Sequence, residues 1–262
     1  MTGWTRLRKH VTVDDVRGVL LFLLAAVLIQ SPAPVVVSNP GSRIRTWEVG
    51  AGAQSLVLLH GFGSAPVEWL PFTATLRPVR GRRFVFPQAP GPGPGGIGLG
   101  WWPLDLASHL DATGLPDLSH VRPAGLADAS ARVRTLLGEV EARLTSPRGT
   151  TILGGFSQGG MVSAEVAFRS DTPLKALVLL SPTTVDEASW RAGMSARQGL
   201  PVFLAHGRHD TVLAFAASQR LAGLLRDAGL VVTWVPFEGG HDMPAEVVTA
   251  LNIFLASVDR PR

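Results

Sequence analysis

Three residues far apart in the chain have the types that acyl transfer needs: Ser157, Asp210 and His241. A serine hydroxyl is a poor nucleophile unless a base takes its proton during attack. A histidine can take that proton and then hand one to the leaving group. A carboxylate fixes the imidazole tautomer and stabilises the imidazolium that forms. Backbone N–H groups must face the oxyanion as it develops. Asp242 and Glu238 are rival acids, but Asp242 shares a loop with His241 and is poorly placed to orient that ring, so Asp210 is favoured.

The surroundings of Ser157 support its role. In "TTILGGFSQGGM", residues 150–161, a β-like run breaks into glycines, with Gly155 two places before the serine and Gly159 two places after it. A strand that turns at once into a helix forces the apex residue into strained geometry. Side chains at the −2 and +2 positions would collide with each other and with the next strand. The pattern predicts a nucleophile elbow, G-x-S-x-G, with the hydroxyl raised above a helix N-terminus. The amide of Gln158, just after the nucleophile, supplies one oxyanion donor. Phe62, in the "HGFGS" loop at 60–64, can supply a second.

These residues need a scaffold. Predicted strands are Arg43–Val49, Leu56–Leu59, Arg83–Pro87, Thr150–Leu153, Ala176–Leu180, Val202–His206 and Val231–Val235. Several are continuous apolar runs ("LVLL", "ALVLL", "PVFLA"), which indicates strands covered on both faces and hence a parallel sheet. Predicted helices are Val67–Leu76, Ala124–Leu144, Gln158–Phe168, Phe215–Ala228, stopped by Gly229, and Ala245–Val258. The expected fold class is α/β: a mostly parallel, doubly wound sheet with helices on both faces. Ligands in such sheets sit at the carboxyl ends of the strands. Four of those ends carry glycine-containing loops, and three hold Ser157, Asp210 and His241 in the chain order of the α/β-hydrolase triad. His60 and His206 are expected to hydrogen-bond loop backbone, and His209 to face solvent. A metal reading would use His206, His209, Asp210 and His241, but that spacing matches no zinc motif. "GPGPGG", 91–96, imitates a phosphate-binding glycine motif, but Pro92 and Pro94 lack the N–H groups it needs, so it is expected to be a flexible loop at the mouth of the site.

With 262 residues, 46% of them hydrophobic, the chain can bury a large core. The absence of cysteine excludes disulfides, thiolate catalysis and cysteine-bound metals. The net charge of +4 and the single dense basic stretch "RPVRGRR", 77–83, argue against nucleic acid as a partner; a solvated loop before a strand is expected there. The N-terminus differs. An uncharged run, 18–29, follows Arg6, Arg8, Lys9 and Arg17 and precedes "QSPAPVVVSNPGS". It is shorter than the roughly 20 residues that span a bilayer but fits a signal-peptide core. The expected organisation is a signal or anchor segment at 1–30, a Pro/Ser linker at 31–42 and a catalytic domain at 43–258. The charge bias places that domain outside the cytoplasm, exported or anchored, with possible membrane association through residues 18–29; a cytoplasmic enzyme is the alternative.

From about residue 43 to 258 the chain resembles the phospholipase/carboxylesterase family of α/β-hydrolases, through "LLHGFG", "PQAP", "GWWPLD", "GGFSQGG", "LAHGRHDTVL" and "EGGHDMP". The resemblance implies Ser157 as nucleophile, Asp210 and His241 as its partners, and Phe62 and Gln158 as oxyanion donors. It also implies that Trp101 and Trp102 help wall an acyl pocket, although family members often show W-F-D where this chain has Trp-Trp-Pro. The residues themselves leave core packing open for at least one indole. The expected function is cofactor-free hydrolysis of small-molecule or lipid carboxylic esters through an acyl-enzyme. A lysophospholipase or acyl-protein thioesterase is the alternative within that chemistry, and a non-catalytic binding protein the alternative outside it.

Overall fold

A computed structural model of the chain describes residues 33–76 and 82–260. Ten strands occur among them: β1 (Val35–Asn39), β2 (Ile44–Gly50), β3 (Gln54–Leu59), β4 (Arg82–Pro87), β5 (Gly91–Pro92), β6 (Leu99–Gly100), β7 (Ile152–Phe156), β8 (Ala176–Leu180), β9 (Pro201–Gly207) and β10 (Val231–Phe237). Six α-helices accompany them: α1 (Phe72–Thr75), α2 (Leu126–Arg143), α3 (Gln158–Arg169), α4 (Glu187–Met194), α5 (Phe215–Asp227) and α6 (Ala245–Val258).

The main sheet has eight strands in the order β1-β2-β4-β3-β7-β8-β9-β10. From β4 to β10 all neighbours are parallel, and β1 and β2 add an antiparallel edge. Alternate side chains of each central strand enter opposite layers. Val57, Leu59, Leu153, Leu177, Leu179 and Leu204 pack with α2, α3, α4 and α5. Leu56, Leu58, Ile152, Val178 and Phe203 pack with α1 and α6. Both faces are therefore buried, as the continuous apolar runs predict.

Four stretches differ from expectation. The segment read as a linker contains β1, paired with β2 from Val35↔Glu48 to Asn39↔Ile44. The Asn39 side chain closes this hairpin onto Ile44 O at 2.9 Å, and Glu139 of α2 accepts the backbone N–H groups of Gly41 and Ser42. The expected helix over Val67–Leu76 is a 3-10 turn, Pro66–Trp69, followed by α1. Pro71 lacks the N–H that an unbroken helix would need there. The expected flexible loop at 91–96 is a hairpin of β5 and β6 held against the 60–64 loop, with Gly63 N–H donating to Leu99 O at 2.8 Å. Of the basic stretch expected as a solvated loop, Arg82 already belongs to β4, one residue before the predicted strand start. Arg82 is buried and paired with Asp259 at 2.6 Å, and Arg83 meets the buried Glu48 at 3.2 Å. Residues 18–29 lie outside the described residues.

Candidate active site

Ser157 stands between β7 and α3 with φ 53° and ψ −119°, a conformation that costs a non-glycine residue strain energy. The flanking glycines make it possible. A Cβ on Gly155 would lie 2.4 Å from Gly159 C, and one on Gly159 would lie 2.3 Å from Leu59 O at the end of β3. The collision expected from the sequence is therefore present in both of its parts.

The 60–64 loop runs close to this elbow, since a Cβ on Gly61 would be 3.4 Å from Ser157 Cβ. His60 anchors it. Its Nδ1 is 2.8 Å from Gly61 O, and its Nε2 lies 3.1 Å from the N–H of Ala89. A carbonyl can only accept and an amide N–H only donate, so the ring is neutral with its hydrogen on Nδ1. Burial pushes its pKa down to about 4, against the smaller opposing effect of the Gly61 carbonyl. Gly61 O and Phe62 N–H belong to one planar trans peptide. Fixing the carbonyl on His60 thereby aims the Phe62 N–H the opposite way. That N–H donates to no backbone carbonyl among the described residues. Gln158, the first residue of α3, has a free N–H because no helical turn precedes it.

The other two residues meet across the ends of β9 and β10. Asp210 Oδ2 accepts from His241 Nδ1 at 2.6 Å, while Oδ1 accepts from the N–H groups of Val212 and Leu213 at 2.8 and 2.9 Å. The loops are laced together by Arg208 N–H to Phe237 O and His209 N–H to Gly239 O, both 2.9 Å. Gly207 permits this approach, because a Cβ there would fall 2.1 Å from Gly240 O. Burial works to raise the Asp210 pKa, but hydrogen bonds from His206 and His241 overcome it and hold the carboxyl well below the usual carboxylate range. The His241 ring packs on Phe156, the residue before Ser157, with centroids 4.7 Å apart.

The rival acids are engaged elsewhere. Glu238 is exposed and pairs with Arg208 and His209 at 3.0 and 2.9 Å. Asp242 makes no bond to His241, and burial together with the Asp210 charge raises its pKa. Trp101 and Trp102 are packed into the core, at 3% and 2% exposure. The fully buried Gln158 side chain holds them there. Its Oε1 accepts the Trp101 N–H at 2.9 Å, its Nε2 donates to Trp102 O at 2.8 Å, and Trp101 Nε1 donates to His60 O at 2.9 Å. The loop folds both indoles inward, the core packing that the residues themselves left open.

A family model described as Phospholipase/Carboxylesterase matches residues 48–258. Among curated proteins, the acyl-protein thioesterase 1 of Mycosarcoma maydis is 30% identical over 73% of this chain and 81% of its own length. That of Yarrowia lipolytica is 26% identical over 67% and 78%. Among solved structures, the esterase PE8 superposes with a TM-score of 0.71 at 27% identity, covering 86% of this chain and 98% of its own. The maize acyl-protein thioesterase 2 shares the fold, with a TM-score of 0.64 at 22% identity over 82% and 98%. These relatives correct the expected extracytoplasmic location. The curated relatives are acyl-protein thioesterases matched along the hydrolase domain, and no helix among the described residues is long and apolar enough to cross a membrane.

Proposed function

The chain belongs to the phospholipase/carboxylesterase family of α/β-hydrolases and is a serine ester hydrolase, and from that premise we propose that Ser157, His241 and Asp210 are its nucleophile, base and acid. The observation that carries this reading is the 2.6 Å bond between His241 Nδ1 and Asp210 Oδ2. An ionised carboxylate only accepts, so Nδ1 carries a hydrogen, and in the neutral imidazole Nε2 is then the nitrogen that can accept a proton.

Ser157 Oγ attacks the ester carbonyl carbon, and its proton passes to His241 Nε2. The carbonyl π electrons move onto oxygen, where the N–H groups of Phe62 and Gln158 meet the negative charge. Collapse expels the alcohol oxygen, which takes the proton from Nε2 and leaves an acyl-serine. Water then repeats the sequence with His241 as base, and the acid departs from Ser157. The α3 N-terminus adds positive potential at the oxyanion.

The substrate class favoured is a carboxylic oxoester of a small molecule or lipid. The second reading, a thioester of an acylated protein, is favoured by the names of the curated relatives. Matched series of p-nitrophenyl esters and acyl thioesters, from acetyl to palmitoyl, test both. Higher kcat/KM on oxoesters at every chain length supports the first reading, and higher values on long-chain thioesters support the second. Hydrolysis that survives Ser157→Ala would contradict both.

A further inference from the structure

Asp210 Oδ2 has a second partner besides His241. The Nε2 of His206, the side chain four residues earlier and wholly buried, lies 3.0 Å from the same oxygen. The same Nε2 is 3.1 Å from Leu213 O. Both neighbours only accept, so Nε2 carries a hydrogen that points between them. The far side of the ring is also held. Nδ1 is 2.7 Å from Ser218 Oγ on α5, and that hydroxyl reaches Pro182 O, beyond the end of β8, at 2.8 Å. A chain of contacts thus runs from the β8 end through Ser218 and His206 to Asp210 and on to His241.

We propose that His206 is a positioning residue for the triad acid: it pins Oδ2 in line with His241 Nδ1 and shares its negative charge. This rests on the reading of Asp210 and His241 as acid and base. The geometry leaves Asp210 little freedom. Two backbone N–H groups and His241 Nδ1 donate to the carboxylate, and His206 Nε2, shared with Leu213 O, lies 3.0 Å from the oxygen that His241 also reaches. His206 does not reach the reacting atoms and acts only through Asp210. The other groups near this cluster are the Phe215 ring, centred 6.1 Å from the His206 ring, and Asp242 beside His241. Arg208, His209 and Glu238 satisfy one another at the rim.

The full-length protein and its His206→Leu and His206→Gln variants are compared on one p-nitrophenyl ester across pH, with melting temperatures recorded. The Leu variant is expected to lose roughly 10- to 100-fold in kcat, the size of one hydrogen bond to a charged group, with KM within about two-fold. Gln can donate towards Asp210 and should recover most of the loss. The acid limb of kcat/KM should move to higher pH in the Leu variant, because a carboxylate freed of one donor holds the His241 proton more firmly. Equal impairment by Leu and Gln, a loss confined to KM, or an unmoved acid limb would mean that His206 only fills space, and would overturn the proposal. If the Leu variant does not fold, His206→Asn replaces it, since Asn is too short to reach Asp210. Gln at least about ten-fold faster than Asn then supports the proposal, and equal rates overturn it. Asp210→Asn and Ser157→Ala run alongside. Wild-type rates in either would refute the triad itself, whereas two inactive controls beside space-filling behaviour at 206 would refute this proposal alone.

Discussion

An asparagine at position 210 would have to place its amide among three hydrogen-bond donors, the N–H groups of Val212 and Leu213 and His241 Nδ1, with His206 Nε2 3.0 Å away. The two backbone donors cannot change, so the amide oxygen must take the Oδ1 position and the NH2 must face the imidazoles. His241 then has to present a bare Nδ1 and carry its hydrogen on Nε2, where it can no longer accept the Ser157 proton. The imidazolium also loses the charge that stabilises it. The same substitution on a serine-protease scaffold costs about 10⁴-fold in kcat, or about 5.5 kcal/mol at 1.36 kcal/mol per decade. We expect a loss of that order for Asp210→Asn, with KM little changed, measured by steady-state release of p-nitrophenol from the acetate ester. Asp242→Asn, which touches no bond to His241, should stay within about five-fold of wild type. A loss below about ten-fold for Asp210→Asn, or a greater loss for Asp242→Asn, would refute the loop geometry on which this reasoning stands.

Ser157→Ala should abolish ester hydrolysis while leaving the melting temperature close to wild type, as thermal denaturation will show. Trp102→Ala should destabilise the fold by about 3–5 kcal/mol, the cost of deleting a large core aromatic, and chemical denaturation will show whether that loss exceeds any shift in acyl-length preference. Stability should decline as pH falls from 6.5 towards 4, because neutral His60 is buried with its pKa lowered to about 4 while the unfolded chain takes up the proton from about 6.5 downward. This single group contributes roughly 3 kcal/mol over that window. In His60→Gln the slope of stability against pH should flatten, and an unchanged slope in urea titrations would assign the acid sensitivity to other groups.

The placement of the candidate triad was the most readable feature of this sequence. Ser157, Asp210 and His241 stand at strand ends that continuous apolar runs reveal directly, and the glycines around Ser157 mark a collision that backbone geometry alone dictates. Local elements without such a signal were harder to read. The "VVVS" of β1 lies among proline, serine and asparagine, and only its pairing with β2 makes it a strand. α4 is short, and it is held by tertiary contacts that no periodicity foretells, chiefly Trp190 Nε1 donating to the buried Glu165 at 2.7 Å. The inward packing of Trp101 and Trp102 was hidden for a related reason. Nothing in "GLGWWP" says that the Gln158 side chain, 57 positions later, will bind the loop inward. His206 carried a usable sign, its spacing of four residues before Asp210, but that spacing acquires meaning only once the turn after β9 brings the imidazole onto the carboxylate.

The central claim is that Ser157 becomes acylated with His241 as its base, and peptide mapping of the full-length protein after reaction with a fluorophosphonate tests it most directly. The predicted result is one adduct, on the peptide carrying Ser157, formed in wild type and almost absent in His241→Ala. An adduct on another serine, such as Ser181 at the end of β8, or equally fast labelling of Ser157 without His241, would contradict it.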